Sequence, residues 1–481
     1  MTADLTLSGS AAAGTAPDAT SASTDGAAEA RRMHPVALTA ALLAVMVPVM
    51  SFFSVNVALG AIGRDLDASA GMLQLVVAAY GVVYAALVVI GGRLGDGFGR
   101  KRMLMTGLAL FAATSLLCSL AQSPVQLVGA RFLQGVSAAF VMPQVLATIH
   151  ASTDGHHRNR AIAWFGATAG IATSLAFLVG GTLTDSALGW RSIFWVNAPV
   201  ALVVLVAIAR YLPETKAPTR SPLDLVGAAL LGAAMTLLIL PLTEGRALGW
   251  PAWTWVCLAV FVPVSAGLVL WQARLDRRGG LPLVPPALFR FRSIGVGLGI
   301  AAPFFVAFGG FMFVYSLVAQ VAGMSPLRIG TSLLPLSVAF LVASLLAGRL
   351  VPRYGASVLT LGSLVSVVGY AAVGWTVAHT DGAFGLGDQF APMLVAGLGL
   401  GLVMPPLMGI VLSQVHGHMA GLGSGLLITT QQACLGLGSA VVGSLYLSWG
   451  GADGFAHTAY VLAAVMLVIA GLTRLLPRAA R

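Results

Sequence analysis

Fourteen apolar runs, each about 20 residues or longer, follow one another from Pro35 almost to the end of the chain. They fall at about 35–62, 71–92, 103–121, 125–150, 161–184, 190–211, 223–243, 251–275, 293–320, 327–349, 355–378, 388–414, 420–447 and 456–477. Each is long enough to cross roughly 30 Å of hydrocarbon as a helix. The runs are rich in Gly and Leu and lack the alternation of barrel strands, so the fold class read from them is all-α and integral to a membrane. Composition agrees: 58% of the residues are hydrophobic and 9% charged, against roughly 25% charged in soluble domains. Residues 1–34 are Ala, Ser, Thr, Gly and Asp with no apolar core, and read as a disordered tail. They are not a signal peptide, because the first apolar run is too long for one.

The net charge is +10. A nucleic-acid partner would need that charge clustered on one solvated face. Here it is scattered through short loops between spans, where it reports topology. With the N-terminus inside, 21 of the 26 Lys and Arg lie in inner segments and 4 (Arg64, Arg191, Arg246 and Arg328) in outer loops. Only Arg131 lies within a span. This asymmetry places both termini in the cytoplasm of a bacterial cell and requires an even number of helices.

The chain also echoes itself. Gly92-Arg93-Leu94-Gly95-Asp96-Gly97-Phe98-Gly99 follows the second run, and Gly348-Arg349-Leu350-Val351-Pro352-Arg353-Tyr354-Gly355 follows the tenth. Both read Gly-Arg-Leu, three residues, an aromatic, Gly. Two halves of six helices with two helices inserted between them account for this spacing, an arrangement typical of transporters. The expected division is a tail (1–34), a first half (35–211), two extra helices with their loops (212–292), a second half (293–477) and a short C-terminus (478–481). The first turn sets Asp96 among Arg93, Arg100, Lys101 and Arg102. An acid among bases forms a cluster that one conformation makes and another breaks. Gly92, Asp96, Gly99, Arg100 and Lys101, with Arg349 and Arg353 in the echo, are therefore the expected gating residues.

This stretch resembles the loop signature of the major facilitator superfamily, Gly-x-Leu-x-Asp-x-x-Gly-Arg-Lys/Arg. Arg131-Phe132-Leu133-Gln134-Gly135-Val136-Ser137-Ala138-Ala139 is similar to the fourth-helix motif of that family. Gly189-Trp190-Arg191-Ser192-Ile193-Phe194-Trp195-Val196-Asn197-Ala198-Pro199 resembles the start of the sixth helix in its 14-span drug:proton antiporter branch, and Val55-Asn56-Val57-Ala58-Leu59 part of the first. The resemblance covers residues 35–477. It implies a major facilitator fold, no cofactor, no enzymatic chemistry, and efflux of a small organic compound such as a drug or antibiotic, driven by protons. The chain departs from the branch at several points. Ser51 stands where relatives have a carboxylate, Gly60 where they have Pro, Leu75 and Ala78 where Trp and Asp occur, and Ala176-Phe177 replaces the Gly-Pro of the fifth-helix motif.

By the same resemblance, the first and fourth helices of each half line the substrate cavity, and the matching Arg131 takes part in proton movement. Gln134 shares the face of Arg131, as do Gly135 and Ala138. Phe304, Phe308, Phe311 and Tyr315 make one aromatic face of the ninth span, which suits bulky amphipathic ligands. Asn56, Gln144, Gln431 and Gln432 are the polar candidates for orienting one. None of the 16 acids lies mid-span. Without a buried carboxylate a cationic drug lacks its counter-charge, so the expected cargo is neutral or anionic, with any proton passing through Asp185. A monomer is expected.

Gly385-Leu386-Gly387-Asp388 matches a short protease motif but lacks a second membrane carboxylate. His156 with His157, and His416 with His418, lack a third metal ligand. Cys118, Cys257 and Cys434 form no metal or disulfide pattern. No phosphate-binding Gly-x-x-x-x-Gly-Lys-Ser/Thr loop is present, which argues against direct use of ATP. Two alternatives stand beside export: an importer or uncoupled facilitator, and a membrane sensor that kept the fold without transport.

Overall fold

The computed structural model describes residues 33–216, 222–245, 248–380, 386–412, 414 and 420–476. The tail before Met33, Arg246, Gly385, His416, His418 and the residues after Leu476 lie outside it. Among the described residues every regular element is helical: α1 (Pro35–Leu66), α2 (Ala70–Phe98), α3 (Arg100–Ser119), α4 (Pro124–Ala139), α5 (Met142–Ser152), α6 (Gly155–Asp185), α7 (Ser192–Trp195), α8 (Asn197–Tyr211), α9 (Leu225–Glu244), α10 (Ala252–Arg277), a 3-10 turn (Pro286–Arg290), α11 (Arg292–Val321), α12 (Pro326–Ser332), α13 (Leu334–Tyr354), α14 (Ser357–His379), α15 (Leu386–Leu412), α16 (Ala420–Trp449) and α17 (Gly451–Thr473).

Fourteen stretches of this helix are long and apolar enough to cross a membrane, so the chain is a multi-pass membrane protein. Three expected single spans are each broken in two. The breaks precede Pro143, the second residue of α5, Pro199, the third of α8, and Pro335, the second of α13. Proline has no N–H to give to the preceding turn, so a new helix starts there.

The same packing pattern occurs twice. In α1–α8, the first span packs on the fifth and sixth (α1 on α6 and α8), the second on the fourth (α2 on α4), and the third on the fourth and sixth (α3 on α4 and α8). In α11–α17, α11 packs on α16 and α17, α13 on α15, and α14 on α15 and α17. The sequence echo falls at equivalent points of these two groups. Each turn is a helix end, an exposed aromatic (Phe98 or Tyr354) and a glycine with positive φ, +114° at Gly99 and +55° at Gly355, a conformation that costs other residues energy. The turn expected to be a loop is thus almost wholly helical, and Asp96 lies on the last turns of α2.

The two groups meet along α2–α16, α6 with α12 and α13, and α1–α11. The face of the bundle that carries Gly99 is called inner here, and the opposite face outer. Toward the outer face the side-chain amide of Gln320 donates to the carbonyls of Asn56 and Val57 at 3.3 and 3.4 Å. There too Gly181 of α6 lies against the backbone of Pro326 and Leu327. α9 packs on both α2 and α16, its Ile239 sharing a buried cluster with Ala78, Val82 and Ala440. α10 packs on α9, and of its residues only Thr254 and Gln272 are buried.

Close approach of α4 to α2 depends on Gly135. A Cβ there would stand 2.5 Å from the carbonyl oxygen of Tyr80, which is backbone and cannot turn away. Gly135→Ala should lower stability in detergent by about 1–3 kcal/mol, the usual cost of overpacking. Gly129→Ala on the same helix meets nothing within 4 Å, and should be neutral or stabilising by up to about 1 kcal/mol. Unfolding of both variants followed by tryptophan fluorescence checks the contrast.

Candidate transport site and gating turn

Arg131 sits on α4 with no exposed surface. Its Nε donates to the carbonyl of Val76 on α2 at 3.1 Å, and its Nη1 to Oε1 of Gln134 at 2.6 Å. The guanidinium lies over the ring of Tyr80, 4.5 Å from its centroid. Gln134 in turn donates to Ser115 on α3 at 2.7 Å. The Tyr80 hydroxyl donates to the carbonyl of Pro48 on α1 at 3.3 Å. Arg131 thus joins four spans. Its Nη2 is buried without a hydrogen-bond partner, and among the described residues no carboxylate pairs with it.

An aromatic path leads to this group. The rings of Tyr80 and Phe52 are 5.6 Å apart, those of Phe52 and Phe53 5.0 Å, and those of Phe53 and Phe308 6.0 Å. Phe308 belongs to α11, so the path crosses from one group of helices to the other. Buried hydroxyls of Ser51, Ser54 and Tyr84 on the same two helices of the first group lack hydrogen-bond partners. Phe52, Phe53 and Tyr84 escaped sequence reasoning because aromatics in an apolar run carry no signal of which face turns inward.

The other expected ligand residues are not gathered at one place. Phe304 packs edge-on against Phe305. Phe311 and Tyr315 are buried in a cluster with Tyr370 and Phe455, inside the second group rather than facing α1. The Gln144 amide donates to the carbonyl of Gly91 at 2.7 Å, in the space left by Gly95, and ties α5 to α2. Asn56 is buried, and its amide turns back to the carbonyl of Phe53 at 3.3 Å. Gln431 and Gln432 are half-buried on α16. Asp185 is exposed as the last residue of α6.

At the inner turn Asp96 accepts from Arg100 at 2.7 Å, and Arg100 also reaches the carbonyl of Ala147 on α5 at 3.2 Å. Lys101 donates its ammonium to the carbonyl of Ala209 at 2.7 Å and its backbone N–H to Glu214 at 3.1 Å. A Cβ on Gly99 would collide with the Glu214 carboxylate. Gly92 lies on the same last turns of α2. The echo lacks this network: Arg349 and Arg353 are exposed on α13, and Pro352 stands where the first turn has Asp96. At the outer face a second polar clasp joins Asp65 to Arg191 at 2.5 Å and to the Trp190 indole at 3.1 Å, while Arg191 reaches the carbonyl of Ala121 at 3.0 Å. Its one sequence signal is that Arg191 is a base on the acid-rich outer side. No group of three metal-ligating side chains occurs among the described residues.

Comparison with known proteins fits this geometry. The chain is 37% identical over 396 residues to a probable actinorhodin transporter of Streptomyces coelicolor, covering 81% of this chain and 68% of that one. It is 33% identical over 465 residues to the cephamycin export protein CmcT of Amycolatopsis lactamdurans, covering 92% and 93%. The crystal structure of the human organic anion transporter MFSD10 superposes with a TM-score of 0.63 at 16% identity, over 91% of this chain and 99% of that one, a likeness of fold. Residues 41–439 match the family description of the Major Facilitator Superfamily, and with the repeated packing, the inner turn and these relatives the chain belongs to that superfamily of transporters.

Proposed function

We propose that this transporter exports a bulky, aromatic organic compound of neutral or anionic character from the cytoplasm. In this reading it works as two halves of six helices with α9 and α10 as an extra pair, acts as a monomer, and keeps both termini on the cytoplasmic side. The name of the cephamycin export protein supports export, and that of the probable actinorhodin transporter supports transport of an organic compound. The observation that carries the cargo class is Arg131: a fully buried guanidinium with one unpartnered Nη2 and, among the described residues, no carboxylate paired with it. An isolated buried charge is costly, and an anion or a polarised oxygen on the cargo offsets that cost. The rings of Phe52, Phe53, Tyr80 and Phe308 offer the apolar surface that a bulky aromatic requires.

Proton coupling is the finer part of the same proposal. Among the described acids, Asp65, Asp96, Asp154 and Glu214 are paired with arginines. In this reading any proton passes by Asp185, which is exposed at the outer end of α6. Arg131 and Gln134, buried on α4, order the cargo or water beside which a proton moves. Phe304, Asn56, Gln431 and Gln432 remain secondary candidates for cargo contact.

Flux in proteoliposomes tests the reading. Arg131→Gln should slow transport of an anionic aromatic dye by about ten- to a hundredfold, the equivalent of losing one charge-assisted hydrogen bond. A neutral dye should be far less affected. A cationic dye that follows an imposed pH gradient and survives Asp185→Asn would overturn it. Asp96→Asn should cut flux while dye affinity stays within a few-fold, because the Asp96–Arg100 pair acts in the gate rather than at the cargo. A large loss of affinity with intact cycling would move Asp96 to the cargo site.

A further inference from the structure

The turn that carries Asp96 also holds a buried base that the gate does not use. Arg93 is 6% exposed. Its Nη1 donates to the carbonyls of Pro222 and Leu281 at 3.0 and 2.8 Å, and its Nη2 to that of Pro282 at 2.8 Å. Pro222 leads into α9, and Leu281 and Pro282 follow α10, so one guanidinium grips both ends of the extra helix pair. A planar fork of donors serves three carbonyls in this way, whereas an ammonium does not.

Asp224 knots the same loops together. It caps α9 by accepting from the N–H of Gly227 at 2.7 Å. It also accepts from the Trp271 indole at 2.8 Å, the Gln272 amide at 2.7 Å and the N–H of Leu283 at 3.1 Å. Gln272 completes the knot by accepting from the N–H of Val284 at 2.8 Å. Burial works against a charge on Asp224, but the bonds from Trp271, Gln272, Gly227 and Leu283 outweigh it and hold its carboxyl below the usual carboxylate range. Beside the knot, Ile90 of α2 shares a buried apolar cluster with Ala228 and Leu283. Toward α16 the attachment is weaker in kind. Ser444 donates one neutral hydrogen bond to the carbonyl of Leu242 at 2.6 Å, and the rest is apolar packing around Ile239 and Ala440.

We propose that Arg93 anchors the α9–α10 pair to the first group of helices, so that the pair moves with α2 and slides over α16 when the two groups rearrange. Apolar packing between smooth helix faces slips at little cost, whereas three charge-assisted bonds from a buried guanidinium to carbonyls do not. Arg93 is a positioning residue: the loops it holds brace the end of α2, one turn before Asp96. The sliding rests on the transport reading above, but the anchor itself does not.

Pulsed electron paramagnetic resonance on the full chain in lipid nanodiscs tests both. With Cys118, Cys257 and Cys434 replaced, spin labels go to exposed positions: Val262 on α10, Val203 on α8, Leu117 on α3 and Val368 on α14. Samples are compared in acidic and alkaline buffer, with and without an anionic anilinonaphthalene sulfonate dye. The Val262–Val203 distance should stay single and constant, while Val262–Val368 shifts with conditions. In Arg93→Ala the Val262–Val203 distribution should broaden while Val203–Leu117 stays narrow, which shows that the bundle itself remains folded. Arg93→Lys should lie between the two. An unchanged Val262–Val203 distribution in Arg93→Ala, or a Val262 label that follows Val368 and departs from Val203, would overturn the anchor. If no wild-type distance moves under any condition, the transport reading fails at this point, and the Arg93→Ala comparison still decides the anchor.

Discussion

A bilayer offers no hydrogen-bond partner to a backbone or a charge, and each polar choice in this chain answers to that. Backbone groups are satisfied inside helices, which is why the fourteen spans are helical rather than extended. Where proline interrupts a span, at Pro143, Pro199 and Pro335, the chain starts a new helix within the bundle instead of exposing carbonyls to lipid. The cost of a buried charge then explains why only Arg131 among the 26 bases lies deep in a span, and why groups on three other helices hold it directly or through Gln134 and Tyr80.

The repeated packing follows from the same constraint. Lipid tails are as apolar as the helix faces, so helices associate through close fit rather than through exclusion of water. Gly135 against Tyr80 in the first group and Gly397 against Leu336 in the second bring the second and fourth spans of each group into backbone contact. Between the groups, Gly81 faces the carbonyl of Gln432, and Gly436 faces Ala78. The seam between α2 and α16 is therefore smooth, with small residues on both sides and α9 lying over it. A smooth seam is what two rigid bodies need in order to rotate past one another.

Much of this was legible in the sequence, because hydropathy, basic loops and the Gly-Arg-Leu echo are each set by local physics. Residue placement within a helix was less so. Asp96 reads as a loop acid from its glycines, yet those glycines sit in α2 because they let α5 and its Gln144 approach. Phe304, Phe308, Phe311 and Tyr315 share one face of α11, but three spans meet that face at different heights. Periodicity specifies the face and not the neighbour at each level. Arg93 and Asp224 are set by partners far along the chain: the carbonyls of Leu281 and Pro282 are 188 and 189 positions from Arg93. A carbonyl has no sequence signature, so nothing short of the fold reveals such a partner.

That dependence on carbonyls extends over the whole molecule and ties topology to structure. The chain has 26 bases and 16 acids, so at least ten of its bases have no acid to pair with. Bases, whether paired with an acid or not, also turn to carbonyls at or near helix ends, where partial negative charge gathers. Lys101 serves Ala209 near the end of α8, and Arg100 serves Ala147 in α5. Arg158 serves Thr153 just past α5, and Arg191 serves Ala121 just past α3. At the inner face these bases therefore also serve carbonyls at or near helix ends. The carboxylates beside them are served at the same time by different donors: Arg100 gives Nε and Nη2 to Asp96 and Nη1 to Ala147, and Lys101 gives its backbone N–H to Glu214 and its ammonium to Ala209. The inner turn thus ties α2 and α3 to α5 and to the end of α8, and parting them breaks several of these bonds together.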